Sequence, residues 1–511
     1  MLPIDMIHAA AARTPEAAAV EAPNLTLSYA ALMARVNALA AGLQAIDPAP
    51  LSRVGVCAHN TVEHLVSLLA VLAAEKTWVP LNPRDVQAEL DAKIDAAKPT
   101  LVIVDEDCTG RIGASDARRI IGAGGAESAA DTVAGLIARH AGRVPARSAR
   151  SRDDTQAIKF TGGSSGRPKG VRQPFRAWLT GAACMIHELG LTARDRYLIG
   201  APITHGTSCY LVPTLAVGGT LVLGQPLMRP GDILDAFETR GITTTFLPPT
   251  MIYMMMAEAG EGGDPARRFP GLARLIYGAA PMPVGRIREA QRAFGPVIGS
   301  NYGQTEAPQV ITWHSPADMM CDDLVASVGH ASFLTRVAIL DSDGKVLPAG
   351  QDGEVAVSGD LLMTGYLDMP EATAETLRDG WLRTGDIGAL DARGYLFLKD
   401  RVRDVIITGG FNVYPSDVEA ALVRHPAVQQ CVVFGVPDDK WGEAVTATVV
   451  LRPGARAAEA DIIAFAKQTV GSVKAPKRVH FSDTLPISGV GKVMRRIARE
   501  AVMAAEVDRQ H

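Results

Sequence analysis

Apolar and polar positions along the first half of the chain follow two alternating rhythms. Ser28 is placed to cap a helix that begins at Tyr29, where Leu32, Val36, Leu39 and Leu43 recur at helical spacing and form one apolar face. Residues 61–74 read as a second helix. Short β-rich runs occur at 54–57, 101–104, 221–223 and 243–247. Strands alternating with helices predict α/β layers with a partly parallel sheet. Residues 109–154, rich in Ala, Gly, Arg and Ser, read as an irregular surface excursion. From 335 to 400 the pattern becomes short strands joined by turns at 341–344 and 391–394. Beyond Arg401, Ser416 and Glu419 have capping-box spacing and predict a helix start. Strands are expected at 431–434 and 444–451, then a helix from Ala458 to about Val470. This is the pattern of a small α+β domain of roughly 110 residues. No internal repeat is present.

Composition narrows the class. The chain has 511 residues, more than one ordinary domain holds, and 47% are apolar, enough for a large core. A formal net charge of -4 gives no electrostatic sign of a nucleic-acid or membrane partner. The six cysteines, at 57, 108, 184, 209, 321 and 431, form no CxxC pair. Neither a zinc site nor a redox pair is indicated, and buried free thiols are expected. No run of 18 apolar residues marks a spanning helix, and the N-terminus lacks the basic-then-apolar order of a signal peptide. The expected location is the cytoplasm.

The chemistry concentrates first at 160–171, FTGGSSGRPKGV. Glycines let a backbone approach an anion, hydroxyls and amides supply donors, and Lys169 adds a point charge suited to phosphate. It is not a GxxxxGK[ST] loop, because Pro168 precedes Lys169 and Gly170 follows it. The stretch resembles the signature of the adenylate-forming superfamily, which holds acyl- and aryl-CoA synthetases, firefly luciferase and peptide-synthetase adenylation domains. The resemblance covers nearly the whole chain, from residues 27–29 to a C-terminal lysine motif, with the motifs in the family's order. It implies that Thr161, Gly163, Ser164, Ser165, Gly166 and Lys169 bind ATP.

Further motifs extend the resemblance. The run 301–306, NYGQTE, resembles the family's adenine and metal motif. There Tyr302 offers a flat face for adenine, Asn301 an amide for its edge, and Gly303 belongs to the same binding segment. Thr305 would touch the phosphate that becomes AMP, and Glu306 is a hard oxygen ligand for Mg2+. Gly278, Ala279 and Ala280 resemble the segment that lines both adenine and acyl pockets. WLRTGD at 381–386 matches the ribose motif, where Asp386 can accept hydrogen bonds from both hydroxyls; Arg401 resembles the arginine that also reaches the ribose. PISGVGK at 486–492 resembles the catalytic-lysine loop. Lys492 can offer positive charge to both the carboxylate oxygen and the phosphate under attack. ITGGFNVYP at 407–415 resembles the form seen in CoA ligases, where Gly409 and Gly410 would let pantetheine approach and Trp441 would wall its tunnel. Lys474, Lys477 and Arg478 form a basic cluster, either for the CoA 3′-phosphate or as a solvated face. Two departures stand out: the hinge is Arg403 where relatives carry Asp or Lys, and VGHASF at 328–333 stands where relatives often show GRPxPG.

For the acid, 201–205 resembles the segment carrying an aromatic gate, which puts His205 over the carboxylate channel. Amino-acid-activating relatives place an Asp near here; Gly206, Thr207 and Ser208 stand instead, so an unsubstituted carboxylic acid is expected. Thr207, Gly278, Gln304 and Pro308, with the small Cys209, Ala279 and Ala280, leave room for an apolar body. The implied fold is α/β. A large N-terminal domain, 1–401, has layered sheets and a small β-barrel-like part; a small mobile α+β domain, 402–511, carries Lys492. The implied reaction makes acyl-AMP and pyrophosphate from acid and ATP, then acyl-CoA and AMP, with Mg2+ at Glu306. Lys492, Glu306, Thr305 and His205 are the expected catalytic residues. A stand-alone adenylation enzyme loading a carrier-protein thiol is the alternative. A non-enzymatic binding module is disfavoured by the intact Lys169, Glu306, Asp386 and Lys492. A homodimer is the candidate assembly.

Overall fold

The computed structural model describes residues 1–115, 118–123, 131–161, 168–260, 265–438, 440–486 and 493–508. The chain forms two compact units: Met1–Val337 with Ala356–Arg383, and Ala338–Val355 with Thr384–His511.

The first unit is built on two sheets. One has nine strands in the order His330–Ala331, Thr312–His314, Ile298–Tyr302, Arg274–Tyr277, Thr244–Leu247, Arg196–Leu198, Thr220–Val222, Ala18–Ala22 and Leu25–Ser28. Its inner strands pair in parallel and its edges turn antiparallel. The other has eight, ordered Gly365–Tyr366, Lys169–Pro174, Thr155–Thr161, Thr77–Leu81, Arg53–Cys57, Leu101–Val104, Arg119–Gly122 and Asp131–Thr132. Thr77–Leu81 and Leu101–Val104 are buried at every position, as parallel strands covered on both faces must be.

The helix Val62–Ala73 is buried all round except at Glu63, the signature of a helix enclosed by protein. It shares one core with Val54 and Trp78 of the eight-stranded sheet and with Val20, Tyr197 and Leu221 of the nine-stranded one. The helix Tyr29–Ile46 starts where the sequence predicts, with Ser28 Oγ accepting from the Ala31 amide at 3.2 Å.

Residues 109–154 are more ordered than expected. Arg119–Gly122 and Asp131–Thr132 extend the parallel sheet, and Val133–Arg139 is a helix capped by Thr132. The strand buries only Ile121 and Gly122 and the helix only Val133 and Leu136, too few apolar positions to show a period.

Residues 336–401 contribute a five-stranded sheet, the expected small barrel-like part. In the second unit, Phe411–Val413, Ile406–Thr408, Gly442–Leu451 and Val428–Asp438 form a sheet in that order, with Arg478–Phe481 parallel on Gly442–Leu451. Val418 and Leu422 of the helix Pro415–Leu422 and Ile462 and Ala466 of Glu459–Lys474 pack into its core. The predicted capping box is absent. Pro415 takes the first helical position, which puts Ser416 inside the helix, where its hydroxyl donates to the Lys399 carbonyl.

All six cysteines are free, but Cys321 is exposed, and Cys209 and Cys431 are half-buried. Cys57 and Cys108 pack Sγ to Sγ at 2.9 Å, a pairing that a CxxC search cannot detect across 51 residues. No described helix is long and apolar enough to cross a membrane.

Candidate active site

Two neighbouring parallel strands assemble the first part of the site. Arg274–Tyr277 and Ile298–Tyr302 run side by side with Tyr277 opposite Ser300. Their carboxyl ends bring Gly278, Ala279 and Ala280 beside Asn301, Tyr302 and Gly303, where open α/β sheets bind ligands. The approach is close: a Cβ on Gly303 would stand 2.4 Å from the Gln309 backbone. Ala279 holds φ 66°, a left-handed conformation that costs a residue with a Cβ roughly 1 kcal/mol. The Asn301 amide donates to Tyr210 Oη at 2.9 Å, while its buried Oδ1 has no partner among the described residues. A buried acceptor left open in this way fits an amino donor such as the exocyclic nitrogen of adenine.

The phosphate-facing candidates gather around Tyr366, which the sequence reading missed. Tyr366 Oη donates to Glu306 Oε1 at 2.8 Å, and Lys169 Nζ lies 5.1 Å from the centre of the Tyr366 ring. Antiparallel pairing of Tyr366 with Val171 brings the three together. Burial, and after it the Glu306 carboxylate, raises the phenol far above its ordinary pKa, so it stays a donor. Gln173, also missed, donates to the Thr305 carbonyl at 2.8 Å and accepts from Trp178 Nε1 at 3.1 Å. No described cluster of three or more His, Cys, Asp or Glu could hold a metal by itself. A lone carboxylate fits Mg2+, which takes one or two protein oxygens and completes its shell with phosphates and water. Thr161 ends the strand Thr155–Thr161; Gly163, Ser164, Ser165 and Gly166 lie outside the described residues.

The acid-facing candidates sit on the turn Ile203–Thr207 and the loop after Tyr302. His205 breaks the helical geometry of its turn, and its Nδ1 is 2.9 Å from Thr204 Oγ1. Desolvation by surrounding protein, with the Lys159 ammonium second, holds its pKa below the ordinary histidine value although the residue keeps an exposed surface. Thr207 is buried. A Cβ on Gly206 would stand 2.7 Å from Gln309 Oε1 and 3.1 Å from Phe246. Tyr210 stacks between Tyr197 and Phe246, at 5.2 and 5.3 Å. Gln304 and Pro308 belong to a tight turn in which the Gln304 amide donates to Ala307.

The second unit holds the remaining candidates. Asp386 faces Arg401 across a hairpin, Oδ1 to Nε 3.2 Å. Arg403 lies exposed in the turn Val402–Asp404, 3.8 Å from Asp404. Gly409 and Gly410 make a hairpin turn at φ 56° and 82°, a conformation that favours glycine. The Gly409 amide donates to the Trp441 carbonyl at 2.8 Å, and the indole stands 3.2 Å from where a Cβ would be. Lys477 donates to the carbonyls of Ser472, Val473 and Ala475; Lys474 meets Asp417 at 3.5 Å and Arg478 meets Asp438 at 3.6 Å. Each member of the basic cluster therefore has a partner of its own. Lys492 lies outside the described residues. Nearby Arg495 is held by Asp404 and Glu419, both at 2.9 Å, and by Asp400 at 3.3 Å.

Comparison with known proteins identifies the family and the fold. The family model described as AMP-binding enzyme matches residues 7–367, and that of the AMP-binding enzyme C-terminal domain matches 417–492. A medium/long-chain-fatty-acid–CoA ligase of Mycobacterium tuberculosis (strain ATCC 25618 / H37Rv) is 40% identical over 68% of this chain; the match spans 61% of that protein's length. A feruloyl-CoA synthase of Amycolatopsis sp is 35% identical over 94% of this chain and 95% of its own. Among solved structures, an amide bond synthetase from Marinactinospora thermotolerans superposes with a TM-score of 0.88 at 29% identity, covering 98% of this chain and 100% of that one. Fold and site together define an adenylate-forming enzyme. The chain belongs to the AMP-binding enzyme family, within the adenylate-forming superfamily. Its activity is AMP-forming ligation of a carboxylic acid to CoA, with ATP, Mg2+ and CoA as the small molecules used.

Proposed function

We propose that this ligase activates an apolar monocarboxylate, fatty, alicyclic or aromatic, and that the residues described above carry the two half-reactions. The observation that carries the reading is the Lys169–Tyr366–Glu306 cluster on the same unit as the open Asn301 acceptor. In the first half, a carboxylate oxygen attacks the α-phosphorus of ATP, the bond to the β-phosphate oxygen breaks, and pyrophosphate leaves. Lys169 and the glycine-rich stretch hold the phosphates, Thr305 orients the one that becomes AMP, and Asn301 and Tyr302 hold adenine. Glu306 would hold Mg2+, which when bound would supply positive charge to the phosphates. Lys492 supplies charge to both reacting oxygens. In the second half, the CoA thiol gives up its proton, sulfur bonds the acyl carbon, and AMP departs. Asp386 and Arg401 hold the ribose. The Gly409–Trp441 contact, with both glycines in conformations closed to bulky residues, supports a pantetheine path there.

The turn at Gly206, Thr207 and Ser208 carries no carboxylate for an ammonium group, which supports an unsubstituted acid. The same reading has residues 402–511 moving as a domain about Arg403 against 1–401, and the enzyme acting in the cytoplasm as a homodimer. ATP–pyrophosphate exchange over a panel of fatty, alicyclic and aromatic acids tests the first half. Thioester formation with CoA and with a carrier protein, run side by side, tests the acceptor. Exchange with no acid in the panel overturns the reading; transfer to the carrier protein alone moves it to the alternative. Light scattering tests the dimer, and fractionation of the source cells the location.

A further inference from the structure

Lys159 lies in the strand that leads into the glycine-rich stretch, and nothing in the proposed mechanism uses it. Its side chain is buried, 8% exposed. The ammonium stands 5.2 Å from the centre of the Trp78 ring and 5.5 Å from that of Trp178, two rings set edge to face. It donates to Ser208 Oγ at 2.7 Å and to the His205 carbonyl at 3.4 Å. No described Asp or Glu lies within ion-pairing distance. An ammonium has three donors, so one is left without a described acceptor. Burial without a carboxylate partner is destabilising and pushes the lysine below its ordinary pKa, with Cys209 acting against the shift. The two aromatic faces offset only part of that cost. A buried cation held in this way is poor economy for stability alone.

Its position says what it serves. Lys159 grips the carbonyl of the gate residue His205 and the hydroxyl of Ser208, one residue beyond Thr207. It is separated from the phosphate-facing Thr305 by two side chains: Trp178 donates to Gln173, and Gln173 to the Thr305 carbonyl. The reacting carboxylate must meet the α-phosphate at Thr305, so the free donor of Lys159 addresses another part of the acid. Ser208 Oγ itself donates to the His205 carbonyl at 2.8 Å, so its hydroxyl proton is taken and it acts by holding the lysine. Resting on the ligase reading above, we propose that Lys159, positioned by Ser208, forms a specificity site that receives an oxygen acceptor carried by the acid away from its reacting carboxylate. The substrate class is then an otherwise apolar acid bearing one distal oxygen.

The experiment compares wild type, Lys159→Met and Ser208→Ala. The substrates are matched aryl and medium-chain acids that carry a distal methyl, ketone, hydroxyl or carboxylate. Wild type is expected to favour the oxygenated members in kcat/KM by at least about tenfold, the scale at which a buried polar group rejects an analogue that leaves it unpaired. Lys159→Met removes the preference through KM while ATP KM and the methyl-bearing acids change less than about threefold. Its melting temperature does not fall, because a neutral side chain replaces an unpaired cation. Ser208→Ala weakens the preference in the same direction and decides the matter if Lys159→Met does not fold. A gain across ketone and hydroxyl supports the single distal oxygen; a gain confined to the carboxylate arm keeps the site but overturns that substrate class and the monocarboxylate reading in favour of a dicarboxylate. Absence of any oxygen preference in wild type, or an equal loss on every acid in the variants, overturns the proposal. Pyrophosphate exchange with no acid at all would instead sink the ligase reading beneath it.

Discussion

Tyr366→Phe removes one oxygen and leaves a ring. That oxygen donates to Glu306 Oε1 at 2.8 Å, and the ring lies 5.1 Å from Lys169 Nζ. Phenylalanine keeps the face that Lys169 meets, so the substitution isolates the bond to the carboxylate. A hydrogen bond to a charged group contributes about 1.5–3 kcal/mol. Glu306 is half-buried, so water replaces part of what is lost and the low end applies. About 1.5 kcal/mol is roughly a factor of ten in an equilibrium constant. The Mg2+ concentration for half-maximal pyrophosphate exchange should therefore rise about tenfold, with little change in melting temperature. The assay is a Mg2+ titration at fixed ATP and acid for wild type, Tyr366→Phe, Glu306→Gln and the double variant. Because Tyr366 acts through Glu306, the double variant should be no worse than Glu306→Gln alone. A Tyr366→Phe titration within twofold of wild type, or fully additive losses in the double variant, would refute the reasoning.

Gly409→Leu should spare pyrophosphate exchange and block thioester formation, because a Cβ at φ 56° is strained and meets the Trp441 ring at 3.2 Å; equal loss of both halves points to general damage. Lys492→Ala should cut adenylation by a factor on the order of 100 and leave conversion of supplied acyl-AMP much less affected; equal damage to both halves counts against a lysine that serves only the first. His205→Ala should change which acids are accepted more than it changes ATP binding, and an unchanged preference removes its gate role. His64 is fully buried, and burial holds its pKa at about 4. The unfolded chain therefore binds the proton first, and stability is lost as pH falls from about 6.5 toward 4, by up to about 3 kcal/mol. His64→Gln should flatten the fall in melting temperature over that window, and a slope equal to that of wild type shows that other groups cause it.

What the sequence disclosed was local. The helix Tyr29–Ile46 could be found because its cap and its apolar stripe lie within one stretch of chain. The helix Pro415–Leu422 was placed correctly but for the wrong reason. Ser416 and Glu419 have capping spacing, yet distant groups claim both: the Lys399 carbonyl takes the hydroxyl, and Arg495 and the Val433 amide take the carboxylate. The same holds at the site. Asn301, Thr305 and Glu306 are adjacent and ordered, so they can be read as a motif. Tyr366 acquires meaning only from Glu306, 60 residues away, and Lys159 from Ser208, 49 residues away. The one local sign of Lys159 was a charge among the apolar Ala157, Ile158 and Phe160.

Two glycines near the acid-facing residues differ in what they permit, and the difference bears on efforts to change the enzyme's scope by saturation mutagenesis. At Gly206 a new side chain would press on the end of the Gln309 carboxamide, which can swing aside, and on the edge of the Phe246 ring at 3.1 Å, which must give by a few tenths of an ångström. At Gly303 it would press on the Gln309 backbone, which cannot. A randomised library should therefore yield active clones with alanine or serine at 206 and return glycine at 303 whatever acid is selected for. Variation around Gln309 is open to evolution from one side only.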